Sequence, residues 1–378
     1  MEGPRTRNGA PRRSRDWRGD LPFRTVLLHR AVGLYRNLAD TIFPPRSSPE
    51  GDAVVRQRVV EAVRKSSGLS APRHLENPDS FLVESAPLRF VERVLDPFPL
   101  PPRDGGASEQ GGGDGGATRR PSVMVLKRGQ VLALVGGEDH LTLFCRTDGP
   151  FSAQFKTLSS LADSIGKVSP FARSDEYGWL ASDPDHAGAG MVLSCDVCLM
   201  GLCVSRTLDQ SLRALDRLGF DVYPIYGPFP AEDNPLDSPG CLYRVASVRN
   251  AGSARDIVGR MDAVCRELAR QEQNARLTLL RRHSPDLFDF VRRAIASGAW
   301  CSSLQLSEAL EIAQVVFFAA DLGLVRISAK DASDLARTPF ALTDEAVSRD
   351  LPAGYEARHA RAALAAPLFR RILKQFQA

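Results

Sequence analysis

The chain has 378 residues, of which 43% are hydrophobic and 25% charged, a balance typical of a globular protein with room for two domains. Its formal net charge of +4 is too small to indicate binding to nucleic acid. It contains no apolar run long enough to span a membrane and no signal peptide. Its seven cysteines, an odd number, fit a reducing compartment better than a disulfide framework. We therefore expect a cytoplasmic protein without membrane contact.

Two segments have the composition of flexible chain. Residues 1–20 are rich in arginine, proline and glycine, and we expect a disordered basic tail there. Residues 104–118 read DGGASEQGGGDGGAT, which is typical of a flexible linker. The linker lacks the GK[ST] ending of a phosphate-binding loop, so we assign it no ligand.

Hydrophobic periodicity predicts an α+β fold, with a mostly antiparallel sheet flanked by helices and a helical C-terminal domain. The predicted strands are Val26–Asn37 (alternatively a short buried segment), Val123–Leu126, Val131–Val135, Leu141–Arg146, Asp221–Ile225 and Cys241–Val248. The predicted helices are Asp52–Lys65, Phe155–Ile165, Leu208–Leu218, Asp286–Ala296, Ser307–Leu322 and Tyr355–Gln377. We place the first domain at residues 21–275 and the second at residues 276–378.

Cys195 and Cys198 form a CxxC pair, which is a spacing found in zinc and redox sites. The sequence has no second pair at zinc-finger spacing, and the surrounding residues MVLSCDVCLMGLCV are apolar. We therefore expect both thiols to pack as small hydrophobic side chains.

The segment Gly178–Val192, GWLASDPDHAGAGMV, resembles the GYLTSCPTNVGTGLR segment of the phosphagen (guanidino) kinases, in the form carried by bacterial protein-arginine kinases. The glycine framework is kept at Gly178, Gly188 and Gly190. The reactive cysteine of the family is replaced by Asp183, and its phosphate-binding arginine is replaced by Val192.

Other motifs extend this resemblance in the same order over most of the chain. Leu28–Leu38 resembles ISSRIRLARNL, Gly136–Leu141 resembles NEEDHL, and Phe220–Gly227 falls where the family has YEVRGLYGE. Glu272–Arg276 matches a helical ExxAR, and Ala357–Ala362 falls at the family's RDxxRA. The resemblance implies a guanidino-kinase-like antiparallel sheet flanked by helices.

In this family, the resemblance implies, a fan of arginines holds the ATP phosphates, because the guanidinium group is rigid and always charged. All of the corresponding positions are substituted here: they are Ala31, Gly33, Thr142, Val192 and Tyr223. Arg30 lies one residue before Ala31, and a one-residue shift in a strand directs a side chain to the opposite face. Arg36 corresponds to a further family arginine, for which we expect a structural role.

The resemblance also locates a substrate site and a regulatory site. Glu138 stands at the position of the general base, with Asp139 and His140 beside it, and these three residues with Asp183 are the catalytic candidates. The family's second substrate glutamate is replaced by Pro228. The regulatory candidates lie at the family's phosphoarginine-sensing helix, where Arg358 replaces the family's aspartate and Arg361 is retained.

The leading hypothesis is a catalytically inactive pseudokinase that acts as a scaffold or regulator in protein quality control or stress response. We expect no cofactor, or Mg-ATP if the family activity persists. The expected partners are a second copy or an active paralogue, and a quality-control protease or adaptor protein. One alternative is an active protein-arginine kinase with unusual phosphate contacts. Another is an altered carboxylate site, at Glu138 and Asp183, that binds a metal or a guanidinium group. Without such a ligand, the segment at Asp183 forms only a polar turn.

Overall fold

The structure is a computed structural model that describes residues 26–44, 46–66, 73–75, 122–126, 131–147, 149–225, 238–247, 252–332, 334–335 and 366–376. The predicted tail and linker, Pro228, and the regulatory candidates Arg358 and Arg361 lie outside these residues.

An eight-stranded sheet in the order β2-β3-β4-β5-β1-β8-β10-β9 forms the centre of the protein. Every neighbouring pair is antiparallel. Its strands are β1 (Leu27–Arg36), β2 (Arg73–Leu75), β3 (Ser122–Leu126), β4 (Val131–Val135), β5 (Leu141–Thr147), β8 (Met191–Cys198), β9 (Phe220–Pro224) and β10 (Leu242–Ser247). A separate hairpin joins β6 (Arg173–Ser174) to β7 (Gly178–Trp179).

Helices cover one face of this sheet and form the C-terminal part. They are α1 (Pro49–Ser66), α2 (Phe151–Val168), α3 (Met200–Val204), α4 (Leu208–Arg217), α5 (Ala254–Arg282), α6 (Ser284–Trp300) and α7 (Leu306–Asp321). A further helix runs over residues 366–373. In α1 the buried residues include Val55, Val59 and Val63, which confirms the predicted apolar face. Within the described ranges, no helix is long and apolar enough to cross a membrane.

The predicted strands and helices that fall on described residues are confirmed to within a few residues at their ends. The strand β8 was not predicted, because its sequence MVLSCDVC lacks a strict polar–apolar alternation and it is buried along nearly its whole length. Cys195 and Cys198 lie in this strand and are both 1% exposed, which confirms that they pack in the interior.

The predicted domain boundary between residues 275 and 276 lies inside a helix, because α5 continues from Ala254 to Arg282. At this point the carboxylate of Glu272 accepts hydrogen bonds from the main-chain N–H groups of Gly201 and Leu202, at 2.7 and 2.9 Å. Arg276 donates to Glu272 at 2.6 Å and to Asp321 at 3.1 Å. This buried ion network joins α5 to α3 and to the end of α7, so it connects the sheet to the C-terminal helices.

We predict that Glu272→Gln lowers the free energy of unfolding by about 3 kcal/mol, because Arg276 loses a charged partner at a position that is 0% exposed. Denaturant titration followed by circular dichroism measures this change. Glu267→Gln is the matched control on the same helix, since Glu267 also pairs with an arginine, Arg270, but at the surface. Equal losses in the two variants would contradict the structural importance of the buried network.

Candidate functional site

The face of the sheet that carries Ala31, Gly33 and Tyr35 is here called the site face. Successive residues of β1 alternate between the two faces, and the opposite face is covered by helices. Arg30 lies on that opposite face, with its guanidinium carbon 5.3 Å from the ring centre of Phe151 and a nitrogen 3.9 Å from Asp262. Arg30 therefore cannot take the place of the family arginine that Ala31 substitutes. This agrees with the prediction that a shift of one residue directs its side chain to the opposite face.

Strand register brings the substituted arginine positions together. Gly33 in β1 is paired with Val192 in β8, and Tyr35 two residues later is paired with Thr142 in β5. Ala31 lies two residues before Gly33 on the same face. Tyr223 belongs to the edge strand β9 and is paired with Arg244 of β10, which is paired in turn with Asp196 of β8. The positions that the resemblance assigns to phosphate-binding arginines thus form a patch on one face of the sheet, and none of the residues at them is an arginine or a lysine.

Aromatic side chains occupy much of this patch. A Cβ atom added to Gly33 would lie only 3.0 Å from the ring of Phe144. Tyr35 is 1% exposed, and its ring stacks on the ring of His186 with centroids 4.0 Å apart. Burial, and then the nearby carboxylates of Asp139 and Glu138, raise the pKa of Tyr35 well above its ordinary value. Tyr35 is therefore a neutral, space-filling group in the site.

A buried ion pair lies further along the same face. Arg244 in β10 is paired in register with Asp196 in β8, and its guanidinium donates to both carboxylate oxygens, at 2.7 and 3.3 Å. Both side chains are almost fully buried. The charge of Arg244 is thus compensated within the protein, which reduces its availability to an external anion.

Asp139 and His140 hold the site together. The carboxylate of Asp139 accepts hydrogen bonds from the side-chain amide of Asn37 at 2.5 Å and from the main-chain N–H of Ser182 at 2.7 Å. The Nδ1 atom of His140 accepts from the main-chain N–H of Leu38 at 3.1 Å, and the main-chain N–H of His140 donates to Asn37 at 2.9 Å. Both catalytic candidates are therefore used to position the end of β1 and the loop that contains Ser182.

Glu138 and Asp183 have different surroundings. Glu138 is exposed as a residue, but partial desolvation of its carboxyl group raises its pKa above the usual value; His186 opposes this shift, and Asp139 and Asp183 add to it. Asp183 accepts a hydrogen bond from the main-chain N–H of Asp185 at 2.8 Å and caps a short helical turn. This is the polar turn that the sequence left as an alternative. Across the described part of the chain, no three histidine, cysteine or carboxylate side chains are grouped to hold a metal ion.

The glycine framework gives the loop Gly178–Val192 its shape. Gly178, Gly188 and Gly190 have φ values of 74°, 87° and 58°, a region that favours glycine. A Cβ atom on Gly178 would collide with the main-chain oxygen of Gly188. Arg36 donates to the main-chain oxygen of Gly190 at 2.8 Å and lies over the ring of Trp179 at 4.2 Å, and burial lowers its pKa to about 10. Arg36 therefore has the structural role that we expected.

Sequence reasoning did not identify the aromatic residues Tyr35 and Phe144 or the Arg244–Asp196 pair. The alternation of β1 places Tyr35 on the face of Ala31 and Gly33, and this signal was present in the sequence. The positions of Phe144 and Asp196 depend on the register of three strands, which local periodicity does not give.

Comparisons with known proteins agree with these motifs. The pattern of the ATP:guanido phosphotransferase C-terminal catalytic domain matches residues 116–275. The protein-arginine kinase of Halothermothrix orenii is 25% identical over 309 residues, which cover 81% of this chain and 82% of that protein. The protein-arginine kinase of Moorella thermoacetica is 27% identical over 321 residues, which cover 83% and 85%.

Two solved structures are also similar. The duplicated taurocyamine kinase from Schistosoma mansoni with bound transition state analog components has a TM-score of 0.48 at 19% identity, and the match covers 65% of this chain. This chain spans 33% of the length of that duplicated protein. Lombricine kinase has a TM-score of 0.46 at 16% identity, with 66% of each chain covered.

We predict that Asp139→Ala lowers the free energy of unfolding by about 2–3 kcal/mol, because Asn37 and the main-chain N–H of Ser182 lose a buried acceptor. Glu138→Ala is the neighbouring control, and it should leave thermal stability nearly unchanged because the residue is exposed. Differential scanning calorimetry of both variants measures the difference. A stable Asp139→Ala protein would show that Asp139 is not needed to position the loop.

We also predict that Gly178→Ala destabilises the protein by roughly 2 kcal/mol or more, because φ at this position is 74° and the new methyl group meets the main chain of Gly188. Gly259→Ala is the matched control: it lies in α5, where a new methyl group would have no other atom within 4 Å, and we expect a gain of about 0.5–1 kcal/mol. Chemical unfolding tests both signs. A neutral Gly178→Ala variant would mean that the loop has another accessible conformation.

Proposed function

Because the chain belongs to the ATP:guanido phosphotransferase family, in the branch of the bacterial protein-arginine kinases, we propose that it is a catalytically inactive member of that family. Its role in this proposal is that of a scaffold or regulator in protein quality control or stress response. The observation that carries the proposal is the site face, where uncharged residues stand at every position that the family resemblance assigns to a phosphate-binding arginine.

The energy of phosphate binding supports this proposal. Phosphoryl transfer depends almost wholly on positioning and on neutralising charge. Each charge-assisted hydrogen bond contributes roughly 1.5–3 kcal/mol, so five of them would contribute roughly 7–15 kcal/mol if they were additive. Micromolar affinity corresponds to only about 8 kcal/mol in total. A nucleotide that relied on the family's contacts would therefore bind very weakly here.

The shape and charge of the site support the same conclusion for Mg-ATP as a cofactor. The ring of Phe144 lies against Gly33, and Tyr35 is packed under His186, so part of the face is filled by the protein itself. Arg244 is already paired with Asp196. The described residues of the patch thus do not fit a polyphosphate, and we propose that the protein functions without a nucleotide.

The structural parts of the site are kept, which supports a folded, functional protein. Asp139 and His140 still bond to the end of β1, and Arg36 still binds the glycine loop. A scaffold needs this frame but not the catalytic groups. The proposed partners are a second copy of this chain or an active paralogue, together with a protease or adaptor of the quality-control system.

An active protein-arginine kinase is the competing proposal, and the activity named for the related proteins favours it. It requires cations from other positions. Strand pairing places Arg146 of β5 opposite Ala31, and this is the arginine that such an enzyme would use first. Arg146→Ala separates the two proposals wherever nucleotide binding is found.

We predict that calorimetric titration with Mg-ADP and Mg-ATP detects no binding up to millimolar nucleotide, because uncharged residues stand at the positions that the resemblance assigns to phosphate-binding arginines. The protein-arginine kinase of Halothermothrix orenii, titrated in parallel, is the positive control. Micromolar binding that Arg146→Ala removes, together with ATP-dependent formation of acid-labile phosphoarginine on a protein substrate, would overturn the proposal and establish the active kinase.

A further inference from the structure

A cavity of about 650 Å³ lies away from the site face, where the sheet meets the C-terminal helices. It is bordered by α3, by the turn Pro239–Cys241 before β10, and by residues of α6 and α7. Cys203 and Cys241 both line it and are both partly exposed. Two partly exposed cysteines therefore line a cavity that the proposed function does not use.

The fold holds these two cysteines next to each other. The main-chain N–H of Leu199 donates to the oxygen of Cys241 at 2.9 Å, and the N–H of Cys203 donates to the oxygen of Leu199 at 2.9 Å. Cys203 thus lies one helical turn from a residue that is bonded directly to Cys241. The helix α3, which contains Cys203, packs against the turn Pro239–Cys241. The Cys241 sulfur also lies 3.7 Å from that of Met200.

The backbone at Cys241 is unusual. Its φ is 55°, a left-handed conformation that residues other than glycine rarely adopt, and it follows Gly240 with φ 71°. Non-glycine residues in this region are concentrated at functional positions, since the surrounding structure must hold them there. At Cys241 the result of this conformation is a thiol on the wall of the cavity, beside Cys203.

We propose that Cys203 and Cys241 are a redox-modification site, at which a hydroperoxide oxidises the two thiols to an intramolecular disulfide. The Cys203 thiolate attacks the peroxide oxygen, the O–O bond breaks, and Cys203 becomes a sulfenic acid while one water or alcohol leaves. The Cys241 sulfur then attacks the Cys203 sulfur, and a second water leaves. In total, two thiols and one hydroperoxide give one disulfide, one water and one water or alcohol.

In this proposal Cys203 is the attacking group and Cys241 is the resolving group. The neighbouring thiol of Cys203, and then burial, raise the pKa of Cys241 well above its ordinary value, which disfavours its thiolate and agrees with that order.

The chain contains an internal comparison. Cys195 and Cys265 are a second pair of cysteines that belong to one hydrophobic core, but each is only 1% exposed. An oxidant in solution reaches the cavity that Cys203 and Cys241 line, and it does not reach this core. We therefore expect selective oxidation of the cavity pair in the folded protein.

The test treats the intact protein with hydrogen peroxide, alkylates the remaining thiols and maps the peptides by mass spectrometry. We expect a loss of 2 Da, a single link between Cys203 and Cys241, and the other five of the seven cysteines still alkylated. Dithiothreitol should reverse the link. Full alkylation of all cysteines, a link between Cys195 and Cys265, or links only between molecules would each overturn the proposal.

Variants separate the two steps. Cys241→Ser should form no intramolecular disulfide and should accumulate a sulfenic acid at Cys203, which dimedone traps. Cys301→Ser is the matched control, because Cys301 is also partly exposed but lies in a neighbouring cavity, and it should form the disulfide as the unaltered protein does. A disulfide in Cys241→Ser that joins Cys203 to another cysteine would show that Cys241 is not the resolving group. If a variant does not fold, the peptide map of the unaltered protein still decides the proposal.

Discussion

The pairing of β1 with β5 on one side and β8 on the other is the constraint on which the site depends. This register sets Gly33 opposite both Phe144 and Val192, and it sets Tyr35 opposite Thr142. A shift of one residue would exchange the two faces of β1 and expose its buried side chains. The core of the sheet domain therefore fixes which side chains meet on the site face, whatever chemistry those side chains have.

The frame of the site and its chemistry respond to different physical demands. Asn37 and Asp139 satisfy buried polar groups, and leaving any one of them unpaired costs about 1–3 kcal/mol. That is a large fraction of the roughly 5–15 kcal/mol that stabilises a typical domain. Phosphate-binding arginines make no such contribution in the absence of their ligand. A chain that must fold but need not transfer phosphate keeps the first group of residues and can lose the second.

The sequence predicted local features better than distant contacts. The valines of α1 share a face because helix periodicity is local, and α1 formed as predicted. The substituted arginine positions were found through short motifs, and the structure brings those of β1, β5 and β8 together. Phe144 was missed because its contact with Gly33 depends on strand register. The predicted boundary at 275/276 lies inside α5, where the buried pair Glu272–Arg276 spans it, and a contact of this kind is not visible in local composition.

The electrostatics of the site face explain why the substitutions are compatible with a stable fold. Several guanidinium groups on one face repel each other unless a bound anion compensates them, and the repulsion grows as the site becomes less exposed to water. Uncharged residues at those positions remove this repulsion, and the ring of Phe144 adds apolar burial beside Gly33. Among the described residues of the central strands, Arg244 is the one buried arginine on this face. It forms an ion pair with Asp196. At the positions that the resemblance assigns to arginines, the side chains therefore need no bound anion to offset repulsion between like charges.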